Sequence, residues 1–189
     1  MLFADIVDFT PLSARLSASE VVAFLNTIFS EFDALADKHG LEKIKTIGDA
    51  YMVAAGLPES RPDHAEAIAD MALEMQAAIA KFRCSTGDAV QLRLGMHSGP
   101  VVAGVIGTQK TTYDLWGDTV NTASRMESHG SAGVIQVTEA TYVRLRERYA
   151  FSGPRTIEVK GRGQMPVYCL HGRLQSIEGV CSDSVTDTC

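Results

Sequence analysis

The sequence predicts an α+β fold built on one mixed or antiparallel sheet. Three observations carry that expectation. The run Lys43-Ile44-Lys45-Thr46-Ile47-Gly48-Asp49-Ala50-Tyr51-Met52-Val53 reads as two short strands joined by a Gly-Asp turn, a hairpin rather than half of a crossover. Two long stretches, beginning at Ser17 and Pro62, have apolar residues at helical spacing. Strands and helices interleave, but no strand–helix–strand unit repeats. At 189 residues the chain is the size of one ordinary domain.

In order, Met1–Ala4 is an apolar run that ends on Asp5 and reads as the first strand. Ser17-Ala18-Ser19-Glu20 is a capping box, so a helix is expected to start at Ser17. Val21, Leu25, Ile28, Phe32 and Leu35 continue it, and Gly40 supplies the stop. The hairpin follows and closes at Gly56-Leu57-Pro58. A second helix is expected from Pro62 to about Arg83, with Ile68, Met71, Met75, Ile79 and Phe82 on its core face. Val90–His97 and Val101–Ile106 read as a pair of strands joined through Ser98-Gly99-Pro100. Thr108–Tyr113 is polar and is expected to be a loop or arm. Asp118–Glu127 reads as a third helix ending near Gly130, Val134–Val137 as a strand and Glu139–Arg148 as a helix. Thr156–Val159 and Val167–Leu170 are closing strands around Lys160-Gly161-Arg162-Gly163. The domain is expected to fill residues 1–172. Residues 173–189 lose periodicity, turn Ser/Thr/Asp-rich and are expected to be a disordered tail.

Composition narrows the function classes. A net charge of −6 with no long basic block argues against nucleic-acid binding. Cys84, Cys169, Cys181 and Cys189 form no C-x-x-C pair, which argues against a disulfide framework or zinc site and for a reducing cytosol. His97 lies in a strand-like run and reads as structural. No stretch is long and apolar enough to span a bilayer, so no membrane contact is expected of this segment, and the expected location is cytoplasmic. The abrupt start on a strand leaves room for an upstream membrane or sensory domain.

Asp5 and Asp49 each sit where a strand runs out into a turn. If the first strand pairs beside the hairpin, the two carboxylates converge, which is a way to hold Mg²⁺ against a phosphate. Asn121 and Arg125 are four apart and project from one face of the third helix. On their own, Lys45 reads as a solvated strand lysine that alternation places on the same face as Lys43, and Asp114 as a loop aspartate. Arg125 on its own reads as the partner of Glu127 or Asp118.

Five ordered blocks change that reading. Phe3-Ala4-Asp5-Ile6, Lys43–Tyr51, Gly95–Gly107, Tyr113–Glu127 and Val159-Lys160-Gly161-Arg162-Gly163 together strongly resemble the catalytic domain of class III nucleotide cyclases. The resemblance implies a ferredoxin-like, palm-type core with extra strands and helices, and a head-to-tail dimer with the nucleotide in the groove between domains. It implies that Asp5 and Asp49, with the backbone carbonyl of Ile6, hold two divalent ions, Mg²⁺ or Mn²⁺. Backbone N–H groups near Phe9 and Thr10 would cradle the terminal phosphates. Lys45 and Asp114 would read the purine, Asn121 would orient the ribose and Arg125 would meet charge on the α-phosphoryl group. Lys160 would take the β- and γ-phosphates, with Arg162 as the alternative. Gln109 and Lys110 lie in the arm where some relatives place a phosphate-contacting Arg. Asp8 stands where the family often has Gly, which is expected to alter the loop. Adenine offers an acceptor at N1 and a donor at its amino group, which Lys and Asp can both satisfy, whereas guanylyl cyclases resemble this chain but carry Glu at position 45 and usually Cys or Ser at position 114. The expectation is therefore a homodimeric adenylyl cyclase acting on ATP. The alternatives are a guanylyl cyclase or a catalytically weak cyclase-like module for nucleotide binding or dimerisation.

Overall fold

The computed structural model describes residues 1–83, 87, 89–107 and 112–174. A seven-stranded sheet lies between two layers. Its strand order is β2 (Glu42–Ile47), β3 (Ala50–Ala54), β1 (Leu2–Ile6), β4 (Leu92–Met96), β7 (Ile135–Thr138), β9 (Gly163–Arg173) and β8 (Tyr149–Val159). The pairings are antiparallel except β4 with β7, so the sheet is mixed. The first four strands, with α2 (Ala18–His39) and α3 (His64–Ile79) between them, give the β-α-β-β-α-β order of a ferredoxin-like core.

Alternation along each strand assigns the two faces. Leu2, Ala4 and Ile6 point toward α2 and α3, where they pack with Ile28, Phe32, Ile68, Met71 and Met75 in the main core. Met1 and Phe3 point the other way, and with Met52, Ala54, Leu115 and Ala123 they form a second cluster under α4 (Asp118–Ser128). Gly95 lets α4 approach β4, since a methyl there would overlap the backbone of Met126 and Glu127. A third small cluster, Met126 with Val159 and Val167, fastens the far end of α4 to the β8–β9 hairpin.

The capping box at Ser17 forms in full, and Gly40 ends α2 in the left-handed conformation. Arg61 donates to the carbonyls of His39 and Gly40, which satisfies that helix end. Several expectations need correction. α3 starts at His64, after an Asp63 cap, and stops at Ile79, because the next turn tightens through Lys81 N–H to Ala78 O and Phe82 N–H to Ile79 O. α5 (Glu139–Leu145) likewise ends three residues short of Arg148. A five-residue helix, α1 (Phe9–Ser13), precedes α2 and was not foreseen.

β4 and β5 (Val102–Ile106) are not partners: β4 is central in the sheet, whereas β5 pairs with β6 (Thr112–Trp116) in a separate two-stranded ribbon. Thr112 and Tyr113, expected in a polar arm, therefore belong to a strand. β8 and β9 are each eleven residues long, far longer than expected. The middle of β8 at the sheet edge is exposed, so no apolar alternation announced it. Gln109, Lys110, Cys84, Cys181, Cys189 and the tail from 175 onward lie outside the described residues. Cys169 is a free thiol. No helix among the described residues is long and apolar enough to cross a membrane.

Candidate active site

β1 pairs with β3, and Asp5 stands opposite Ala50, so the tip of the β2–β3 hairpin brings Asp49 beside Asp5. Gly48 makes that tip with φ of 62°, a conformation that suits glycine. Burial raises the Asp5 carboxyl to about 6, and the charges of Asp49 and Glu127 push the same way while Arg93 opposes them. Arg93 bridges the group: its Nη2 donates to Asp5 Oδ2 at 2.8 Å and its Nε to Glu127 Oε1 at 2.6 Å. Two carboxylates thus hold one guanidinium while Asp49 adds a third beside Asp5, an excess of negative charge that suits a divalent cation. Among the described residues no third His, Cys, Asp or Glu completes a protein-only cage, so an ion here would need oxygens from backbone, substrate or water.

Ile6 ends β1, buried, just before the Val7-Asp8 turn. Asp8 adopts a left-handed conformation with φ of 56°, the only non-glycine among the described residues to do so. Phe9 and Thr10 then open α1, where first-turn N–H groups have no intrahelical acceptor.

Lys45 and Asp114 meet in a direct ion pair between β2 and β6. The expectation that Lys43 and Lys45 share a face fails. A bulge at Ile44 sets Lys43 opposite Val53 and Lys45 opposite Met52, which belong to opposite faces of the sheet. Lys43 accordingly pairs with Asp33 of α2, while Lys45 turns to the α4 side. Burial acts upward on the Asp114 carboxyl, but Lys45 and the N–H of Leu115 outweigh it and hold it below the ordinary carboxylate range.

Asn121 is exposed and Arg125 half-buried on the outer side of α4, whose inner side buries Thr122, Ala123 and Met126. Neither ion pair considered for Arg125 forms: Asp118 binds Arg162 and Glu127 binds Arg93. Lys160 is exposed in the turn between β8 and β9 and has no ionic partner among the described residues. His97 is held by Thr138 at 2.7 Å, and burial lowers its pKa to about 4, in keeping with a structural residue. Sequence reading missed Arg93. Its signal was available, since a lone charge between Leu92 and Leu94 in an apolar strand must find a partner on the other face.

The predicted site residues thus come from two groups of elements: Asp5, Asp49 and Arg93 at the end of the central strands, and Asn121, Arg125 and Lys160 on the outside of α4 and its neighbouring turn. The ferredoxin-like core, with two carboxylates beside each other where its central strands end, is a palm-type arrangement. The chain belongs to the adenylate and guanylate cyclase catalytic domain family, whose sequence profile matches residues 1–172. It is 49% identical over 173 residues to an adenylate cyclase of Mycobacterium tuberculosis, covering 92% of this chain and 39% of that protein. It therefore spans about two fifths of the length of that relative. Among solved structures, the guanylate cyclase domain of RhGC from Catenaria anguillulae in complex with GTP superposes with a TM-score of 0.87 at 42% identity, covering 92% of this chain and 95% of that one. The catalytic core of a rhodopsin-guanylyl cyclase with converted specificity, in complex with ATPαS, gives 0.86 at 43% identity, covering 91% and 94%.

Proposed function

We propose that this domain is an adenylyl cyclase that converts ATP to 3′,5′-cyclic AMP and pyrophosphate in sites shared by two copies of the chain. The Lys45–Asp114 pair carries the base assignment. A fixed ammonium and a fixed carboxylate, side by side and partly buried, offer a donor to adenine N1 and an acceptor to its amino group. Guanine presents N1–H and O6 in the reverse order, and mispairing a buried edge costs about 1–3 kcal/mol per group.

Asp5, Asp49 and the Ile6 carbonyl would hold two divalent ions, Mg²⁺ or Mn²⁺, which when bound would lower the pKa of the ribose 3′-hydroxyl and steady the triphosphate. The hydroxyl gives its proton to solvent water, its oxygen bonds to the α-phosphorus, and the bond from that phosphorus to the bridging oxygen breaks to release pyrophosphate. Asn121 orients the ribose. Arg125 meets the negative charge that builds on the α-phosphoryl oxygens, a role worth about 2.7–4 kcal/mol for a preorganised donor in other enzymes. Lys160 and the N–H groups of Phe9 and Thr10 take the outer phosphates.

The sharing of sites is supported by the origin of the two sets on different elements. No hydrogen bond or ion pair among the described residues links Asp5 or Asp49 to Asn121, Arg125 or Lys160. The ribbon meanwhile leaves Val102 and Ile106 exposed on one face and Val105 and Tyr113 on the other, apolar surface suited to a second copy. The test is product formation from ATP and from GTP, with Mg²⁺ and Mn²⁺, over a range of protein concentrations. Cyclic AMP whose specific activity falls on dilution is the expected result. Mainly cyclic GMP would overturn the base assignment, and no cyclic product from folded dimer would favour a nucleotide-binding module.

A further inference from the structure

The turn that carries Lys160 is tied to α4 by a contact that the proposed reaction does not use. Arg162 N–H donates to Val159 O at 2.9 Å to close the turn, and the Arg162 side chain then pairs with Asp118, the first residue of α4. Asp118, Asn121 and Arg125 are spaced i, i+3 and i+7, so they form one stripe along the helix. Directly before the turn, Val159 packs with Val167 on Met126, near the other end of α4. The turn is thus held at two points alongside the face that presents Asn121 and Arg125.

The exposure of the pair separates stabilising from positioning roles. The Asp118 side chain is 71% exposed and that of Arg162 33%. An ion pair this open adds little to stability. It does fix where the turn lies against α4, because Gly161 and Gly163 on either side of Arg162 bring no side chain that could pack there.

We propose that Arg162 is a positioning residue: it pins the Lys160 turn to the Asn121–Arg125 stripe of α4 and takes no phosphate itself. This rests on reading the site as a nucleotide cyclase. By neutralising Asp118, Arg162 also keeps a bare carboxylate away from the surface that would receive the triphosphate. Lys160, Asn121 and Arg125 then move as one unit, although they come from a turn and a helix about forty positions apart in the chain.

The test compares R162Q, D118N and the double variant with the wild-type chain, each also in a K160Q background. KM and kcat for metal–ATP, the melting temperature, and the Kd of Mn²⁺–3′-deoxy-ATP, which cannot cyclise, are measured. Each single variant is expected to raise KM and Kd about five- to tenfold, a usual coupling for interacting neighbours, with kcat and melting temperature nearly unchanged. The double variant should be no worse than either single one, and R162Q should add nothing once Lys160 is gone. A neutral D118N beside a damaging R162Q would overturn the proposal and make Arg162 a phosphate ligand. Parallel loss of melting temperature in both singles would reduce the pair to a structural contact. A wild-type chain that binds the analogue but forms no cyclic product would sink the cyclase reading instead, and the Kd pattern would still decide the latch.

Discussion

Lys45 and Asp114 grip each other across the gap between β2 and β6, so changing either leaves the other a partly buried charge without its counterpart. Replacing both, as Lys45→Glu with Asp114→Cys, should shift the product from cyclic AMP toward cyclic GMP. A change in the GTP/ATP ratio of kcat/KM of about tenfold or more is expected, read by product chromatography. His97 makes a second prediction at this scale. Its folded pKa of about 4 lies below the ordinary value of 6.5, so the unfolded chain binds the proton more readily. The contribution of neutral His97 to stability is intact above about pH 6.5 and is lost as pH falls toward 4, by about 1 kcal/mol per unit. Urea unfolding midpoints measured from pH 7 to pH 4 should fall less steeply in His97→Gln than in the wild type; parallel curves would show that the imidazole does not carry the effect.

The element on which most depends is α4, because its inner side closes the second core cluster while its outer side presents Asn121 and Arg125. Gly95→Ala should force α4 off β4, since the added methyl meets helix backbone, which cannot rotate away as a side chain can. Destabilisation of about 3 kcal/mol, in the upper range of overpacking effects, is expected in chemical denaturation, with activity falling alongside it. The element map also shows what the sequence could say. α2 and the β2–β3 hairpin were legible because a capping box, a helical stripe and a Gly-Asp turn are local signals. β6, α1 and the length of β8 were not, because their residues take their conformation from distant partners or lie on exposed edges. In the same way, Asp5 and Asp49 were legible as strand-end carboxylates, but Arg93 and the Arg162–Asp118 pair join residues far apart in sequence and became visible only when the chain folded.

For the whole molecule, the proposed sharing of sites between two copies makes assembly itself testable. Asp49→Asn and Arg125→Ala should each be nearly inactive alone. Mixed one to one, half of the dimers would pair unlike chains, and each of those would contain one intact site. Activity should therefore return to about a quarter of the wild-type level, as twofold symmetry requires. No recovery after exchange, verified by sedimentation, would argue that each chain works alone. On the same logic, Ile106→Asp on the ribbon should weaken self-association and shift activity to higher protein concentration, without changing the melting behaviour of the monomer.

The bulge at Ile44 has a consequence for how such chains diverge. Counted back from the hairpin tip, Ile47, Thr46 and Lys45 stand opposite Ala50, Tyr51 and Met52 in unbroken register, and the irregularity falls only beyond Lys45. Deleting Ile44 would therefore leave Lys45 on the side of Asp114 and Lys43 on the side of Asp33. Keeping Ile44 but pairing it regularly would instead carry Lys43 opposite Ala54, to the side of Lys45 and away from Asp33. In this fold, then, the proposed base-reading lysine takes its address from the hairpin tip, and a relative can gain or lose the bulge residue without moving it.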